Sequence, residues 1–210
     1  MKDLISKTLS LPHGELRLLQ PRESAELPDD GDVEWAPLVP YWSVLWRSGV
    51  ALGRELGGRR LDGLRVVELG CGMGVPSLAA RRSRASVLAT DASVEALELL
   101  AANASRNGLD VETAQVDWAS PARLLARAPF DLVLAADVLY ERASVAQLLA
   151  FLPGLAPRIL LADPGRPAAD PFLAEARRRW SVETQARGVV NIHTLGPWVF
   201  TKGSVGSHPG

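Results

Sequence analysis

Residues 66–74 constrain the fold more than any other segment, because a short apolar run is followed there by three alternating glycines, VVELGCGMG. The apolar run contains β-branched residues and is too short for a helix, which favours a buried strand. Gly70, Gly72 and Gly74 carry no Cβ, so the backbone can turn sharply and pass close to a ligand. Residues 75–82 then have the composition of a helix that tolerates a proline in its first turn. A strand, a glycine turn and a helix N-terminus together predict a nucleotide-binding crevice at the carboxyl end of a sheet.

The glycine spacing distinguishes between two classes of cofactor. A dinucleotide-binding turn follows G-x-G-x-x-G and would need glycine at the position of Val75. The pattern present, E-x-G-x-G-x-G, resembles the first motif of class I S-adenosylmethionine-dependent methyltransferases. The resemblance implies a turn that passes close to the amino-acid part of that cofactor, with a carboxylate beside the cationic ligand. The contacts that it implies are Glu68, Gly70, Cys71, Gly72 and Gly74. A tight turn with no ligand is the alternative.

Two further carboxylates end strand-like runs. Residues 86–90 form a second strand that ends at Asp91, and an acid in this position usually accepts hydrogen bonds from ribose hydroxyls. A third strand over residues 111–116 ends at an acid followed by a tryptophan, and in methyltransferases these take the adenine amino group and the face of its ring. The cofactor contacts predicted here are Asp91, Ala92, Asp117 and Trp118. As alternatives, each acid could cap a helix, and the tryptophan could belong to the core.

The fourth strand, residues 131–135, runs into the pattern D-x-x-Y, formed by Asp137 and Tyr140. This pattern resembles the motif after the fourth strand in the seven-strand lysine methyltransferases of methyltransferase family 16. The resemblance implies that Asp137 orients an amine and Tyr140 shields the reacting centre, with Ala135 near the cofactor. Alternatively, Asp137 caps the helix that begins near position 141, and Tyr140 fills a gap.

Two more segments narrow the resemblance. Both are similar to segments of electron-transfer-flavoprotein β-subunit lysine methyltransferases. The first is P-Y-W at residues 40–42, followed by Trp46, and the second is D-P-G-R-P at residues 163–167. The resemblance covers roughly residues 40–200 and implies that Trp46 lines the methyl channel beside the cofactor. The glycine motif of this chain, Glu-Leu-Gly-Cys-Gly-Met-Gly, differs from the Asp-Leu-Gly-Ser-Gly-Cys-Gly type of those enzymes. The resemblance therefore indicates the cofactor more strongly than the methyl acceptor.

The remaining segments complete an α/β fold. A hairpin over residues 7–19, a loop rich in acidic residues over 21–34 and a helix over 43–56 precede the first strand. Runs at 180–186 and 189–195 would form an antiparallel pair at the end of the sheet. We therefore predict a Rossmann-like, seven-stranded, mostly parallel sheet with helices on both faces and an N-terminal β-hairpin plus helix. The expected units are residues 1–39, a methyltransferase domain at 40–203, and a flexible tail at 204–210.

Composition restricts the function. The chain has 210 residues, which suits one domain, and a formal net charge of −1 without a basic stripe, which disfavours nucleic acid as a substrate. Its single cysteine, Cys71, excludes an internal disulfide and a thiolate metal cluster, and the three histidines show no metal-ligand spacing. We expect no metal site, no membrane association and a cytoplasmic location.

The sequence thus favours in-line transfer of a sulfonium methyl group to a neutral amine. A lysine has a reference pKa of ~10.4 and must lose its proton first, which a dry pocket assists. Three functions stay open: methylation of a protein lysine, with an electron-transfer flavoprotein β-subunit as the implied substrate; methylation of a small amine; and cofactor binding without turnover.

Overall fold

A computed structural model describes residues 3–25, 40–140 and 142–196. Most of the predicted acidic loop, residues 26–34, and the whole predicted tail lie outside the described residues. At the start of that loop, Pro21 still belongs to a strand and Arg22–Ala25 form a short helix. Within the described residues no helix is both long enough and apolar enough to span a membrane.

Nine strands and seven helices make up the described part of the chain. The strands are β1 Leu4–Leu11, β2 Gly14–Pro21, β3 Arg65–Leu69, β4 Ser86–Asp91, β5 Glu112–Gln115, β6 Leu132–Ala136, β7 Ile159–Asp163, β8 Val182–Arg187 and β9 Val190–Leu195. The helices are α1 Arg22–Ala25, α2 Arg47–Gly57, α3 Val75–Arg82, α4 Val94–Arg106, α5 Ala122–Leu125, α6 Arg142–Leu155 and α7 Ala169–Ala176.

The central sheet has seven strands in the order β5-β4-β3-β6-β7-β9-β8, and only β9 pairs antiparallel to its neighbours. Its alternating side chains enter two separate cores. Val66, for example, packs with α2, α3 and α4, whereas Val67 packs with α5, α6 and α7. Both faces of the sheet are therefore covered by helices, as predicted, and this explains why the central strands β3, β4, β6 and β7 are mostly apolar. The outer strands β5 and β8 are more polar and more exposed.

The topology brings the ends of the parallel strands together. Because the chain passes from β3 to β4 on one side and returns to β6 on the other, a switch point lies beside β3, where α/β sheets form their ligand crevice. Leu69, the last residue of β3, lies opposite Thr90 of β4 and Ala135 of β6. The segments that follow these three strands consequently meet at one edge of the sheet.

The N-terminal hairpin is tied to α4 through two asparagines. The amide of Asn103 exchanges two hydrogen bonds with the backbone of Leu19, at 2.6 and 3.2 Å. Asn107 does the same with Arg17, at 2.9 and 2.8 Å. Since each amide satisfies both the N–H and the C=O of one residue of β2, the hairpin is held in register on α4.

The segment before α2 differs from the prediction. Tyr41–Ser43 form a single 3-10 turn, Trp46 is extended with φ −63° and ψ 141°, and the helix begins only at Arg47. Ser43 is held in place by the hairpin: its carbonyl accepts a hydrogen bond from Gln20 Nε2 at 3.1 Å, and its hydroxyl lies 2.5 Å from that of Ser24. Tertiary contacts thus keep this segment out of the helix.

Candidate active site

A cavity of about 640 Å³ lies at the carboxyl ends of the parallel strands. Its walls come from the glycine turn after β3, from the ends of β4 and β6, from the segment before α2 and from α6. The sequence-predicted residues that line it are Trp46, Glu68, Gly70, Cys71, Gly72, Gly74, Asp91, Ala92, Asp117, Trp118, Asp137 and Tyr140. Twelve of the thirteen predicted site residues therefore share one cavity.

Ala135 is the exception. It is buried in the core formed with α5, α6 and α7, and Ala136 lines the cavity in its place. The strand β6 ends one residue later than predicted, and alternation along the strand turns the neighbouring side chain toward the site.

Glycine is required in the turn partly because of the protein's own packing. Gly72 has φ +46°, and a Cβ there would stand 2.9 Å from the carbonyl oxygen of Trp42. Gly74 has φ +72°, and a Cβ there would stand 2.0 Å from Cδ1 of Leu100. The backbone therefore passes close to the segment before α2 at Gly72 and close to α4 at Gly74. The sequence pattern predicted a close approach to a ligand instead.

Glu68 supports the helix that follows the turn. Its Oε2 accepts hydrogen bonds from the N–H of Ser77, at 2.8 Å, and from the Ser77 hydroxyl. Ser77 is the third residue of α3, so the carboxyl group satisfies a helix N-terminal donor that has no intrahelical partner. Burial raises the pKa of Glu68 to about 8, and the nearby Asp91 charge adds to this. At neutral pH the side chain therefore carries its proton, and it becomes the expected anion beside a cationic ligand only after that proton leaves.

Asp91 joins the glycine turn to the helix α4. Its Oδ2 accepts a hydrogen bond from the N–H of Gly72 at 2.9 Å, and its Oδ1 accepts one from the N–H of Ser93 at 2.9 Å. Each carboxylate oxygen has a second lone pair, so the group can still accept hydrogen bonds from a ligand's hydroxyl groups. The helix cap itself is the Ser93 side chain, which accepts from the N–H of Ala96.

Asp117 and Trp118 occupy the far wall. Asp117 is exposed, and its Oδ1 accepts a hydrogen bond from the N–H of Ala119 at 2.8 Å. Trp118 is half-buried and packs so closely over the turn that a Cβ at Gly70 would lie 3.3 Å from its ring. Trp118 is consequently both part of a core and a wall of the cavity, which unites the two alternatives left open for it.

Asp137 lies at the opposite end, on a left-handed backbone with φ +58°. Its N–H donates to the carbonyl of Ala162 in β7 at 2.9 Å. Its Oδ1 accepts a hydrogen bond from Arg166 Nε at 2.8 Å, and its Oδ2 lies 3.5 Å from the Ser48 hydroxyl. Among the described residues the partners of this carboxylate are therefore side chains, and α6 begins only at Arg142, so the helix-cap interpretation is not supported.

Three aromatic rings form the mouth of the cavity next to Asp137. The ring of Tyr41 stacks on Trp46 and on Tyr140, with centroids 6.4 Å apart in both pairs. Tyr41 and Tyr140 are 49% and 56% exposed, so Tyr140 does not fill an internal gap. Two of the three rings that line the cavity are therefore also in contact with solvent.

Sequence reasoning missed several residues of this end, namely Tyr41, Ser48, Ser144, Gln147 and Arg166, which also line the cavity or contact Asp137. Tyr41 and Arg166 lie within the P-Y-W and D-P-G-R-P segments that carried the resemblance, so their signal was present without an assigned role.

Cys71 and His193 are structural. Cys71 is buried, and burial, followed by the Glu68 and Asp91 charges, raises its pKa well above the ordinary thiol value. A thiol without its anion is a poor nucleophile. His193 lies in β9, where its Nδ1 is 2.9 Å from the Thr184 hydroxyl, away from the cavity. Within the described ranges no group of side chains is arranged to hold a metal ion.

The fold and cavity are those of a class I S-adenosylmethionine-dependent methyltransferase. In overall structure the chain is similar to the T. thermophilus 16S rRNA N2 G1207 methyltransferase, solved with AdoMet and guanosine. The TM-score is 0.63 at 18% identity, with 92% of this chain and 50% of that one covered. This likeness concerns the fold.

The chain belongs to the lysine methyltransferase family, whose model matches residues 42–168. It is 33% identical over 172 residues to the electron transfer flavoprotein beta subunit lysine methyltransferase of Rattus norvegicus, which covers 74% of this chain and 62% of that protein. It is 34% identical over 152 residues to the protein N-lysine methyltransferase METTL21A of Danio rerio, covering 67% and 69%. The chain thus spans about three fifths of the length of its electron-transfer-flavoprotein-methylating relative.

The residues present fit S-adenosylmethionine, the cofactor of this family. The volume of about 640 Å³ lies in the range of small-molecule sites. Asp91 offers hydrogen-bond acceptors for ribose hydroxyls, Trp118 an aromatic face for adenine, and Asp117 an acceptor beside it. The glycine turn, Glu68 and the segment before α2 line the same cavity and would hold the amino-acid part.

Proposed function

We propose that this protein transfers a methyl group from S-adenosylmethionine to the side-chain amine of a lysine in a protein, of the electron-transfer-flavoprotein β-subunit type. The observation that carries the proposal is the arrangement of Asp137 beneath an exposed aromatic mouth. A long aliphatic amine on a macromolecule can enter such an opening while the rest of the substrate stays outside. Two relatives that the chain matches carry protein-lysine activity in their names.

S-adenosylmethionine, held by Asp91, Asp117 and Trp118, would supply a methyl group on a sulfonium sulfur to the lone pair of a neutral amine, with the C–S electron pair remaining on sulfur. The protein has to align the amine with the methyl group, and the amine has to be in its neutral form when it reacts. The rings of Tyr41, Trp46 and Tyr140 exclude water from the aliphatic chain. Asp137 accepts a hydrogen bond from the amine and thereby aims its lone pair into the cavity.

Nucleic acid is not the proposed substrate, because the formal net charge is −1 and the sequence contains no basic stripe. A small amine is the alternative acceptor, and the test below separates the two.

The purified protein is incubated with methyl-labelled S-adenosylmethionine and either a cell lysate or a recombinant electron-transfer flavoprotein. We expect a labelled protein band, and mass spectrometry of that band to identify methyllysine. Label in small molecules alone would favour the small-amine alternative, and no label at all would favour cofactor binding without turnover.

Two variants test the assigned roles. Asp137→Asn should lower turnover by about 10²-fold, the lower range for a positioned base or orienting group, while the affinity for S-adenosylhomocysteine stays within a few-fold. Asparagine is preferable to alanine because it keeps the side-chain volume beside Arg166. Tyr140→Phe should be milder, since the ring that stacks on Tyr41 remains. Loss of cofactor binding in Asp137→Asn, together with full activity in Tyr140→Phe, would contradict the assignment.

A further inference from the structure

The loop after β7 is built to present one arginine to the site. Asp163, the last residue of β7, is fully buried, and its Oδ1 accepts hydrogen bonds from the N–H groups of Gly165 and Arg166, at 2.7 and 2.8 Å. Its Oδ2 is buried and has no hydrogen-bond partner among the described residues. The carboxyl group therefore folds the loop back on itself within three residues and fixes the backbone from which the Arg166 side chain starts.

The guanidinium group of Arg166 contacts both parts of the proposed acceptor end. Its Nε donates to Asp137 Oδ1 at 2.8 Å, and the side chains of the pair are only 17% and 6% exposed. Its Cζ stands 5.7 Å from the centroid of the Trp46 ring, within the range of a cation–π contact. Arg166 also lines the cavity itself. One half-buried cation thus connects the carboxylate to the aromatic wall.

We infer that Arg166 is a positioning residue of the methyl-transfer site, which fixes the Asp137 carboxylate through Oδ1 and disfavours a protonated amine by its own charge. The Oδ2 atom, whose long 3.5 Å contact with the Ser48 hydroxyl uses one lone pair, keeps a second lone pair for the acceptor amine. This inference rests on the proposed function.

The charges of Asp137 and Arg166 shift the pKa of the acceptor amine in opposite directions. A carboxylate alone would stabilise an ammonium ion and raise its pKa, which holds the acceptor in its unreactive form. An arginine keeps its charge at every working pH, so its presence beside Asp137 cancels that effect. A lysine beside another cation loses its proton more readily, a device that other enzymes use to activate amines.

The same cavity holds other groups that titrate or carry charge. Those that line it are Tyr41, Glu68, Cys71, Asp91, Asp117, Asp137, Tyr140 and Arg166. Glu68, Asp91 and Asp117 lie at the cofactor end. Outside the lining, the Asp163 carboxyl group also interacts with both Asp137 and Arg166, and burial raises its pKa. Arg166→Lys keeps the charge beside Asp163, so the comparison of the two Arg166 variants includes its contribution.

The test is the pH dependence of methyl transfer to a recombinant electron-transfer flavoprotein β-subunit, with saturating cofactor. Arg166→Gln should lower kcat about tenfold or more and move the ascending midpoint of the pH–kcat profile upward by about one pH unit, the lower range for a neighbouring charge. Arg166→Lys retains the charge but loses the planar donor, so kcat should fall while the midpoint stays near that of the wild type. The affinity for S-adenosylhomocysteine should remain within threefold in both variants.

Arg187→Gln is the matched control. Arg187 also pairs with a shielded carboxylate, Glu55 at 3.0 Å, but lies outside the cavity lining. Its pH–kcat profile should coincide with that of the wild type. An unmoved midpoint in Arg166→Gln, or an equal upward movement in Arg166→Lys, overturns the inference while the wild-type activity leaves the proposed function standing. If the wild type methylates no protein, the proposed function fails instead.

Thermal melting gives a second test, which does not require a methyl acceptor. Because either substitution removes the attraction within this shielded ion pair, Asp137→Asn and Arg166→Gln should each lower the melting temperature. The melting temperature of the double variant should be no lower than that of the less stable single variant. Additive losses would show that the two side chains are not coupled and would refute the pair as a unit.

Discussion

The buried carboxyl group of Glu68 makes the stability of this protein depend on pH in an unusual direction. Burial raises its pKa from an ordinary 4.5 to about 8. Between these values the unfolded chain releases the proton while the folded chain retains it, so the folded state binds more protons and loses stability as the pH rises. At about 1.36 kcal/mol per pKa unit, the carboxyl group alone should cost about 2 to 4 kcal/mol between pH 5 and pH 8.

Glu68→Gln isolates this contribution. The amide oxygen can accept both hydrogen bonds from Ser77, and the amide resembles the protonated acid in size and in lack of charge. The variant should match the wild type within about 1 kcal/mol at pH 5 and exceed its unfolding free energy by about 2 to 4 kcal/mol at pH 8. Other titrating groups are present in both proteins and cancel in the difference.

The measurement is urea-induced unfolding of both proteins at several pH values from 5 to 8.5, without cofactor. Glu98→Gln, an exposed carboxylate on α4, is the control for the loss of an acid as such. Parallel stability curves for the wild type and Glu68→Gln would refute the reasoning, since the helix-supporting carboxyl group would then titrate alike in the folded and unfolded states.

Three further predictions concern the cofactor turn and the sheet. Asp91→Ala should weaken S-adenosylhomocysteine binding by about 1.5–3 kcal/mol, the scale of hydrogen bonds to a charged group; unchanged affinity in calorimetry contradicts the ribose assignment. Gly74→Ala should lower the unfolding free energy by more than about 2 kcal/mol because its Cβ would overlap a leucine side chain. Gly63→Ala, with a similar φ of +73° and open space, should cost only about 1 kcal/mol, and equal losses in urea unfolding would contradict the packing argument. Burial, followed by the nearby Arg177 charge, lowers the pKa of His193, so the folded state loses stability as the pH falls below about 6.5. His193→Gln should therefore gain unfolding free energy relative to the wild type as the pH falls from 6.5 to 5. A difference between the two proteins that does not change with pH would show that the imidazole titrates as it does in the unfolded chain.

The centre of the sheet was predictable because β3, β4, β6 and β7 are buried on both faces. A β-branched apolar run with no polar alternation has few structural alternatives, and the helix Val75–Arg82 agrees with the prediction at both ends. The last two runs were predicted to form an antiparallel pair at the end of the sheet, and β8 and β9 confirm this.

The segment before α2 was not predictable in the same way. Its apolar and aromatic residues have a spacing that suits a helix, yet Trp46 is extended and Tyr41–Ser43 form a separate turn. The cause lies more than twenty residues earlier in the chain, where Gln20 bonds the carbonyl of Ser43. Local propensity gave way to a tertiary contact that periodicity does not encode.

The acceptor end shows the same limit for side-chain partners. The spacing of D-x-x-Y placed Asp137 and Tyr140 at the correct edge of the sheet, but no spacing rule indicated that Arg166, 29 residues later, would pair with Asp137. The pairing arises because β6 and β7 are parallel neighbours, and the Asp137 N–H extends their ladder to Ala162. The segments that follow two adjacent parallel strands must therefore meet at the same edge. It follows that D-x-x-Y and D-P-G-R-P, which look like separate motifs along the chain, supply the two halves of one part-buried ion pair. A change in either half removes the attraction between the two charges.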